Sequence, residues 1–298
     1  MGYPTAHWES MNMTDWGYIL SIGLVQNMFM AAALASVLCG VIGTYVVVKR
    51  IVFIGGGIAH TTFGGVGFAY WLQSAFLLSW FTPIMGAILF AVSSALIISL
   101  PSVREKMRED STIGVLWVTG MALGVIFMEM VDPSVVTVRS YESILFGNIL
   151  LVSSSTLSIM ALLSVVVLAI AVYFYRDFQI VTFDETHAKI SGINVNLINA
   201  ILYILIALTC VFVMNVVGIV LVIALLTIPA AMANMFSKDL KTMMVLATLF
   251  SLTLSFLGII VAIAADVPPG ASIVLTMTVF FLLASGMSRF AVKGAVAG

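Results

Sequence analysis

The chain has 298 residues, of which 62% are hydrophobic and only 8% are charged. Soluble domains carry about 45–50% apolar and about 25% charged residues, so the composition excludes an ordinary soluble protein and indicates a polytopic membrane protein. The formal net charge is −1, and for such a protein the position of each Lys and Arg matters more than their sum. We expect a lipid bilayer around the chain and no nucleic-acid partner.

Apolar runs divide the chain into membrane helices. A hydrocarbon core about 30 Å thick requires roughly 20 apolar residues per helix. The sequence predicts an all-α fold with about nine such helices, with eight as the alternative, in a single transmembrane domain over residues 1–298. The runs cover approximately residues 17–48, 51–75, 78–100, 111–131, 153–175, 195–214, 216–236, 240–264 and 270–290.

The basic residues predict the orientation, because loops that hold Lys and Arg usually stay in the cytoplasm. Nine crossings that begin outside leave only Arg139 of the twelve basic residues on the outer side. We therefore expect residues 1–15 to form an extracytoplasmic tail and the C-terminus to lie in the cytoplasm. The residues predicted inside are Lys49, Arg50, Arg104, Lys106, Arg108, Arg176, Lys189, Lys238, Lys241, Arg289 and Lys293.

Two connections are longer than simple turns. On the outer side, residues 131–155 contain a short apolar piece from Ile144 to Val152, which is too short to span and predicts a re-entrant or interfacial helix. On the inner side, residues 176–196 form the longest cytoplasmic loop. There Thr182 is a candidate N-cap with Glu185 three residues later, and Gly192 fits a C-cap. This pattern predicts a helix over about 183–191 as a candidate docking element.

The second apolar run carries an unusual stripe of residues. Gly56, His60, Gly64 and Gly67 recur at spacings of four, four and three, which places them on one helix face. A neutral imidazole is a common ligand for transition metals, and an ionisable side chain within a membrane usually faces a protein interior or a water-filled path. The alternative is a tight helix crossing in which His60 only bonds a neighbouring polar group.

The seventh apolar run contains Pro229 in its middle. Proline removes one backbone hydrogen bond and kinks a helix, so this span is suited either to gating or to a static packing bend.

Several catalytic signatures are missing from the sequence. It contains no GxxxxGK[ST] phosphate loop, no HExxH motif and no combination of nucleophile, base and orienting residue. We therefore expect no enzymatic activity, no cofactor and no bound ATP in this chain alone.

Four stretches in order carry a resemblance to a known family. They are "VVVKRIVFIGGGIAHTTFGGVGFAYWL", "ESILFGNILLVS", "TFDETHAKISGINVN" and "VVGIVLVIALLTIPAAMA". Together with the helix positions they resemble the ABC-3 permease subunits of importers for zinc, manganese and iron(II) over about residues 20–290.

The resemblance implies a divalent metal ion as the transported substrate and the plasma membrane of a prokaryote as the location. It also implies a homodimer of permeases, two cytoplasmic ATP-binding subunits with ATP, and an extracytoplasmic metal-binding protein. The "TFDETHAKISGI" loop resembles the coupling helix, with Asp184, Glu185 and Gly192 as coupling residues.

One position departs from the family pattern. In many members the second helix reads Gly-Asp-x-x-x-His, whereas this sequence keeps His60 but has Gly56 in place of the Asp. The departure argues against a gate with two side-chain ligands. It also weakens any choice among the three metals, since a carboxylate favours harder ions such as manganese.

Two other classes of protein, and one alternative within the ABC class, compete with this interpretation. A secondary carrier would normally show paired repeats with broken helices, but the sequence has one Gly-rich and one Pro-containing span in unlike positions. A permease for a metal chelate remains an alternative within the ABC class. A membrane enzyme is disfavoured by the missing catalytic residues.

Overall fold

A computed structural model describes residues 21–101, 103, 109–138, 140–147, 149 and 152–296. The described part is helical, without a strand, which confirms the all-α class. The predicted tail over residues 1–15, the basic residues at 104–108 and Arg139 lie outside it. The helices are α1 (Gly23–Val48), α2 (Val52–Phe76), α3 (Pro83–Ser99), α4 (Glu109–Glu129), α5 (Tyr141–Phe146), α6 (Ser154–Tyr173), α7 (Tyr175–Phe183), α8 (Glu185–Ile190), α9 (Val195–Val217), α10 (Ile219–Phe236), α11 (Leu240–Ala265) and α12 (Pro269–Val296).

Every predicted apolar run overlaps one of these helices. Within the described residues, eight helices are long and apolar enough to cross a membrane. The remaining run corresponds to α3, which is apolar but has only 17 residues. The count of long spans therefore matches the alternative of eight, and the nine-helix topology stays a prediction that depends on α3.

Helix α2 lies at the centre of one half of the bundle. It packs most extensively against α4 and next against α3, and α3 in turn packs on α9. In the other half, α1 packs on α10 and α11, and both of these contact α12. Helices α2 and α9 are mostly enclosed, whereas α4, α6 and α12 expose most of their apolar surface. This distribution fits a bundle whose outer helices face lipid.

The corner between α1 and α2 is short and is held by two backbone hydrogen bonds. Arg50 has a positive φ of 61°, which is uncommon for a residue with a side chain. Its amide donates to the carbonyl of Val47 at 3.1 Å, and the amide of Ile51 donates to Val46 at 3.0 Å. These two bonds form a Schellman motif that ends α1, and α2 begins at once with Val52.

The outer connection contains the short helix α5. It begins three residues before the predicted apolar piece, because Ser140 caps its N-terminus by accepting a hydrogen bond from the amide of Ser143. Ile144 is buried, and a side chain at Gly147 would overlap the backbone of Val217, where α9 ends. The segment is thus covered by protein. Whether it is re-entrant stays a prediction.

Candidate functional site

His60 lies in α2 and faces α4. Its ring stacks on the indole of Trp117, with centroids 4.4 Å apart and planes inclined by 15°. The imidazole is half-buried, and its Nδ1 atom is buried without a hydrogen-bond partner in the described structure. A buried polar atom without a partner costs free energy unless a ligand or water satisfies it. The stack on Trp117 therefore fixes the ring plane of His60, and its Nδ1 atom has no hydrogen-bond partner among the described residues.

Gly56 lies one helical turn before His60 and faces the same indole. A Cβ atom built on Gly56 would lie 3.0 Å from Cζ3 of Trp117 and 3.6 Å from Cδ1 of Ile223 in α10. Trp117 therefore occupies the space that a larger side chain at residue 56 would need. The aromatic ring that stacks on His60 also makes glycine the best fit at residue 56.

Gly64 and Gly67 bring the backbones of α2 and α4 together. A Cβ on Gly64 would lie 2.6 Å from the carbonyl oxygen of Gly120, and one on Gly67 would lie 2.6 Å from that of Gly124. The hydroxyl of Thr61 adds a hydrogen bond across the crossing, at 3.1 Å from the carbonyl of Leu116. The glycine stripe is thus a close helix crossing within one chain, as the alternative interpretation expected for the glycines.

The sequence interpretation did not identify the partner residues on α4. Trp117, Gly120 and Gly124 complete the crossing and fix the ring of His60. The spacing of Gly120 and Gly124 is the small-x-x-x-small pattern that allows close helix approach. That pattern was a usable signal for a crossing, although it does not say which helix is opposite.

Pro229 lies inside α10, which continues through it from Ile219 to Phe236. After the proline, Ala230 and Ala233 are buried against Met243 and Ala247 of α11. The small residues therefore serve a packing surface. A gating role for Pro229 is an untested prediction.

A neutral cavity of about 220 Å³ lies between α2, α3, α5, α6 and α9. Its polar lining includes Tyr70, Thr82, Thr156 and Asn215, none of which carries a charge. Met214 also borders it and accepts a hydrogen bond from Thr62 at 2.9 Å. The cavity adjoins the second half of α2, beyond His60 along the chain.

A resident metal site would require several ligands close together. The described residues contain no group of three or more His, Cys, Asp and Glu that could hold a metal ion. Glu129, Asp132 and Asp266 are exposed at helix ends. Hydrogen bonds from Ser134 lower the pKa of Asp132, so this carboxylate is a satisfied turn residue.

The inner connection, residues 176–196, begins with a helix that the sequence did not predict. Residues Tyr175–Phe183 form the helix α7, where the sequence predicted a loop. Phe178 and Val181 are buried and lie three residues apart, so they form the apolar face of a short amphipathic helix. Thr182 consequently lies inside α7 and is not the N-cap of the following helix.

Asp184 caps α8. Its carboxylate accepts hydrogen bonds from the amides of Thr186 and His187, each at 2.9 Å. At the other end, Gly192 has φ of +80°, and its amide donates to the carbonyl of Lys189. Gly192 thus ends the helix in the left-handed conformation that the sequence predicted, while the predicted start at residue 183 was wrong by two residues.

Glu185 points toward the bundle. Its Oε1 atom lies 3.0 Å from Nζ of Lys49 and 3.0 Å from Nδ2 of Asn199. The exposed side chains of this region are different ones, chiefly Ile190 and Phe183, which are 81% and 63% exposed. The two predicted coupling acids therefore bond within the protein, and the exposed surface of the segment combines these two apolar residues with polar ones.

Comparison with known proteins decides the family. Residues 21–288 match the model described as the ABC 3 transport family. The chain belongs to the ABC 3 transport family. The chain is also similar to two proteins named manganese transport system membrane protein MntC. The one from Halalkalibacterium halodurans is 35% identical over 266 residues, or 89% of this chain and 88% of its own. The one from Listeria monocytogenes is 30% identical over 267 residues, or 88% of this chain and 91% of its own.

A solved structure of the same fold supports this assignment. The structure titled PsaBC from Streptococcus pneumoniae in complex with Fab has a TM-score of 0.76 and 30% sequence identity, and the match covers 90% of this chain and 93% of that chain. The resemblance found in the sequence motifs is thereby confirmed. As a member of the ABC 3 transport family, the chain is a multi-pass membrane permease component of an ABC transporter, and the ATPase is a separate subunit.

Proposed function

We propose that this chain is the permease of an importer that moves a divalent transition metal ion into the cytoplasm. The observation that carries the proposal is His60, a half-buried imidazole with an unpartnered Nδ1 atom inside a membrane span. The names of the MntC relatives support metal as the cargo. Zinc, manganese and iron(II) all remain candidate ions.

The path of the ion would require two copies of the chain. The described residues of one chain offer no cluster of three metal-ligating side chains, so His60 needs ligands from elsewhere. In a homodimer each permease would contribute one imidazole. Two neutral nitrogens suit borderline ions such as Zn²⁺ or Fe²⁺ better than Mn²⁺.

The surface formed by the end of α7 and by α8 is the proposed docking site for the ATPase. Ile190 and Phe183 are large apolar side chains exposed next to Lys189 and His187, and an exposed apolar patch with a polar rim is typical of a protein interface. The proposed complex contains two permeases, two ATP-binding subunits and an extracytoplasmic metal-binding protein. The chain forms a single permease domain with its N-terminus outside, its C-terminus inside and residues 176–196 as the coupling loop.

Metal uptake by reconstituted complexes tests this function. His60→Ala should reduce ATP-dependent uptake of Zn²⁺ at least about tenfold while the complex still assembles, because the imidazole is the ligand. His60→Gln keeps hydrogen-bonding capacity without the basic ring nitrogen and should lose uptake to a similar extent.

Two outcomes would contradict the proposal. Wild-type uptake in both His60 variants would remove this residue from the path. Robust uptake by the isolated permease, driven by a gradient without ATPase, would favour a secondary carrier. Purified alone, the permease should hydrolyse no ATP.

A further inference from the structure

Lys49 forms an ion pair that joins two distant parts of the chain. Its Nζ atom lies 3.0 Å from Oε1 of Glu185, 136 residues away. The side chain of Lys49 is 8% exposed and that of Glu185 is 33% exposed. Asn199, which is fully buried in α9, donates to the same carboxylate oxygen at 3.0 Å. The beginning of α8 is thus bonded to the end of α1.

The burial of Lys49 makes this contact difficult to break. Removing one partner of a shielded ion pair leaves an uncompensated charge away from water, which is strongly unfavourable. If α8 moves, Lys49 must therefore move with it or lose its counter-charge in a site with little solvent. The pair acts as a joint between the two helices and contributes more than surface charge.

An aromatic contact holds the same two parts of the chain. The ring of Phe178 in α7 is fully buried and meets the ring of Tyr45 edge to face, with centroids 5.4 Å apart. Tyr45 and Lys49 lie one turn apart on α1, so both contacts use one face of that helix. The segment α7–α8 is therefore fixed to the end of α1 at two points.

The short corner after Lys49 connects this joint to α2. Lys49 is the C-cap of α1, and only Arg50 and Ile51 separate it from the first residue of α2. The amides of Arg50 and Ile51 both donate hydrogen bonds to carbonyls of α1, so the backbone of the corner is constrained. His60 lies eight residues after Val52, about 12 Å along the helix axis.

We propose that Lys49 is a positioning residue that transmits displacement of the α7–α8 segment to α2 and thereby to His60. The inference rests on the proposed function, in which an ATP-binding subunit moves α8. The Lys49–Glu185 pair makes this movement reach the metal path, so its loss uncouples ATP hydrolysis from transport.

The ratio of metal ions moved per ATP hydrolysed tests the proposal, because a role in folding alone changes the amount of complex but not this ratio. Proteoliposomes contain the permease, its ATPase and the external metal-binding protein, with Zn²⁺ as the probe. Lys49→Met and Glu185→Gln should lower the ratio about fivefold or more, as expected for loss of an allosteric coupling. Lys238→Met is the matched control, since Lys238 is an exposed lysine between α10 and α11, and its ratio should remain at the wild-type value.

A charge exchange provides the second variant. Lys49→Glu combined with Glu185→Lys restores an ion pair, and Asn199 fits the exchange because its buried Oδ1 atom has no partner and is able to accept from an ammonium. This double variant, and Lys49→Arg, should recover the wild-type ratio.

The proposal is overturned if Lys49→Met keeps the wild-type ratio. It is also overturned if the single variants do not assemble and the exchanged pair assembles with a lowered ratio. Failure of the proposed function is distinguishable, because the wild-type complex itself would then move none of Zn²⁺, Mn²⁺ and Fe²⁺ with ATP.

Discussion

The pair of His60 and Trp117 shows how one residue determines its neighbours. A stack at 4.4 Å fixes the imidazole plane, and the indole also fills the space next to Gly56. A side chain at residue 56 would require a shift of this ring. Residue 56 and Trp117 therefore share one space between α2 and α4.

This coupling predicts the effect of Gly56→Asp. The new Cβ atom lies 3.0 Å from the indole, so the variant should displace Trp117 and lower the free energy of unfolding by about 1–3 kcal/mol, as overpacking does. Uptake should fall because His60 loses its stacking partner. Thermal unfolding in detergent and uptake in proteoliposomes measure the two effects.

Two further variants separate the effect of side-chain volume at residue 56 from the effect of a negative charge there. Gly56→Ala adds the Cβ alone and should show a smaller loss of stability. Gly56→Asp with Trp117→Leu makes room for the carboxylate and should shift uptake towards Mn²⁺ relative to Zn²⁺. Full uptake and stability in the single Gly56→Asp variant would show that the indole moves freely.

At the scale of elements, the crossing of α2 and α4 depends on glycine at defined positions. A Cβ on Gly120 would lie 2.5 Å from the backbone Cα of Thr61, whereas one on Gly114 of the same helix meets nothing within 4 Å. Gly120→Ala should therefore separate the helices and destabilise the permease by about 1–3 kcal/mol.

Gly114→Ala is the matched control for this crossing. It adds the same methyl group in open space and should stabilise α4 by up to about 1 kcal/mol through helix propensity. The midpoints of thermal unfolding of the two variants, compared in one detergent, give the result. Equal midpoints would mean that α2 and α4 are not in backbone contact at Gly120.

The end of α8 depends on Gly192, whose backbone is in the left-handed conformation. Gly192→Val places a β-branched side chain at φ of +80°, which costs about 1–2 kcal/mol and should loosen the segment that presents Ile190. ATP-dependent uptake should decrease while binding of the external metal-binding protein is retained. Gly192→Asn is the control, because Asn tolerates this conformation, and its uptake should stay close to wild type. Normal uptake in Gly192→Val would mean that another loop contacts the ATPase.

The elements differ in how far the sequence predicts them. The spans follow from hydropathy because a bilayer demands long apolar helices, and Gly192 was predictable because few residues adopt a positive φ. The start of α8 was not predictable from the sequence, since Thr182 and Asp184 are both good N-caps. Which of the two residues caps the helix depends on the packing of Phe178 against Tyr45. The stack of His60 on Trp117 joins residues of two spans, and helix pairing cannot be read from the periodicity of either one.

At the scale of the whole molecule, two of the loops that are predicted to be cytoplasmic lie together. The bond between Lys49 and Glu185 places the α1–α2 corner beside α8, and the predicted topology has both loops on one side of the membrane. Labelling of single cysteines tests the orientation in a background where the buried Cys39 and Cys210 are replaced. Val267→Cys should react with a membrane-impermeant thiol reagent added outside, and Lys238→Cys should react only after the membrane is opened.

The reverse labelling pattern would invert the proposed topology. Reaction of both positions from the outside would indicate an even number of crossings between them. Since α11 alone separates the two positions, this result would mean that α11 does not span the membrane.

A membrane-spanning α3, which the nine-helix topology predicts, makes the hydrophobic girdle of this permease uneven, because α3 has only 17 residues. The helix is about 25 Å long, whereas α1 and α11, with 26 residues each, reach about 39 Å. Met85, Leu89 and Leu96 are exposed along α3, so annular lipids beside it must shorten or the bilayer must thin, at a cost of fractions of a kcal/mol per Å. Short-chain phospholipids should therefore collect on the α3 side, and the rate of uptake should depend on acyl-chain length in vesicles of a single phosphatidylcholine.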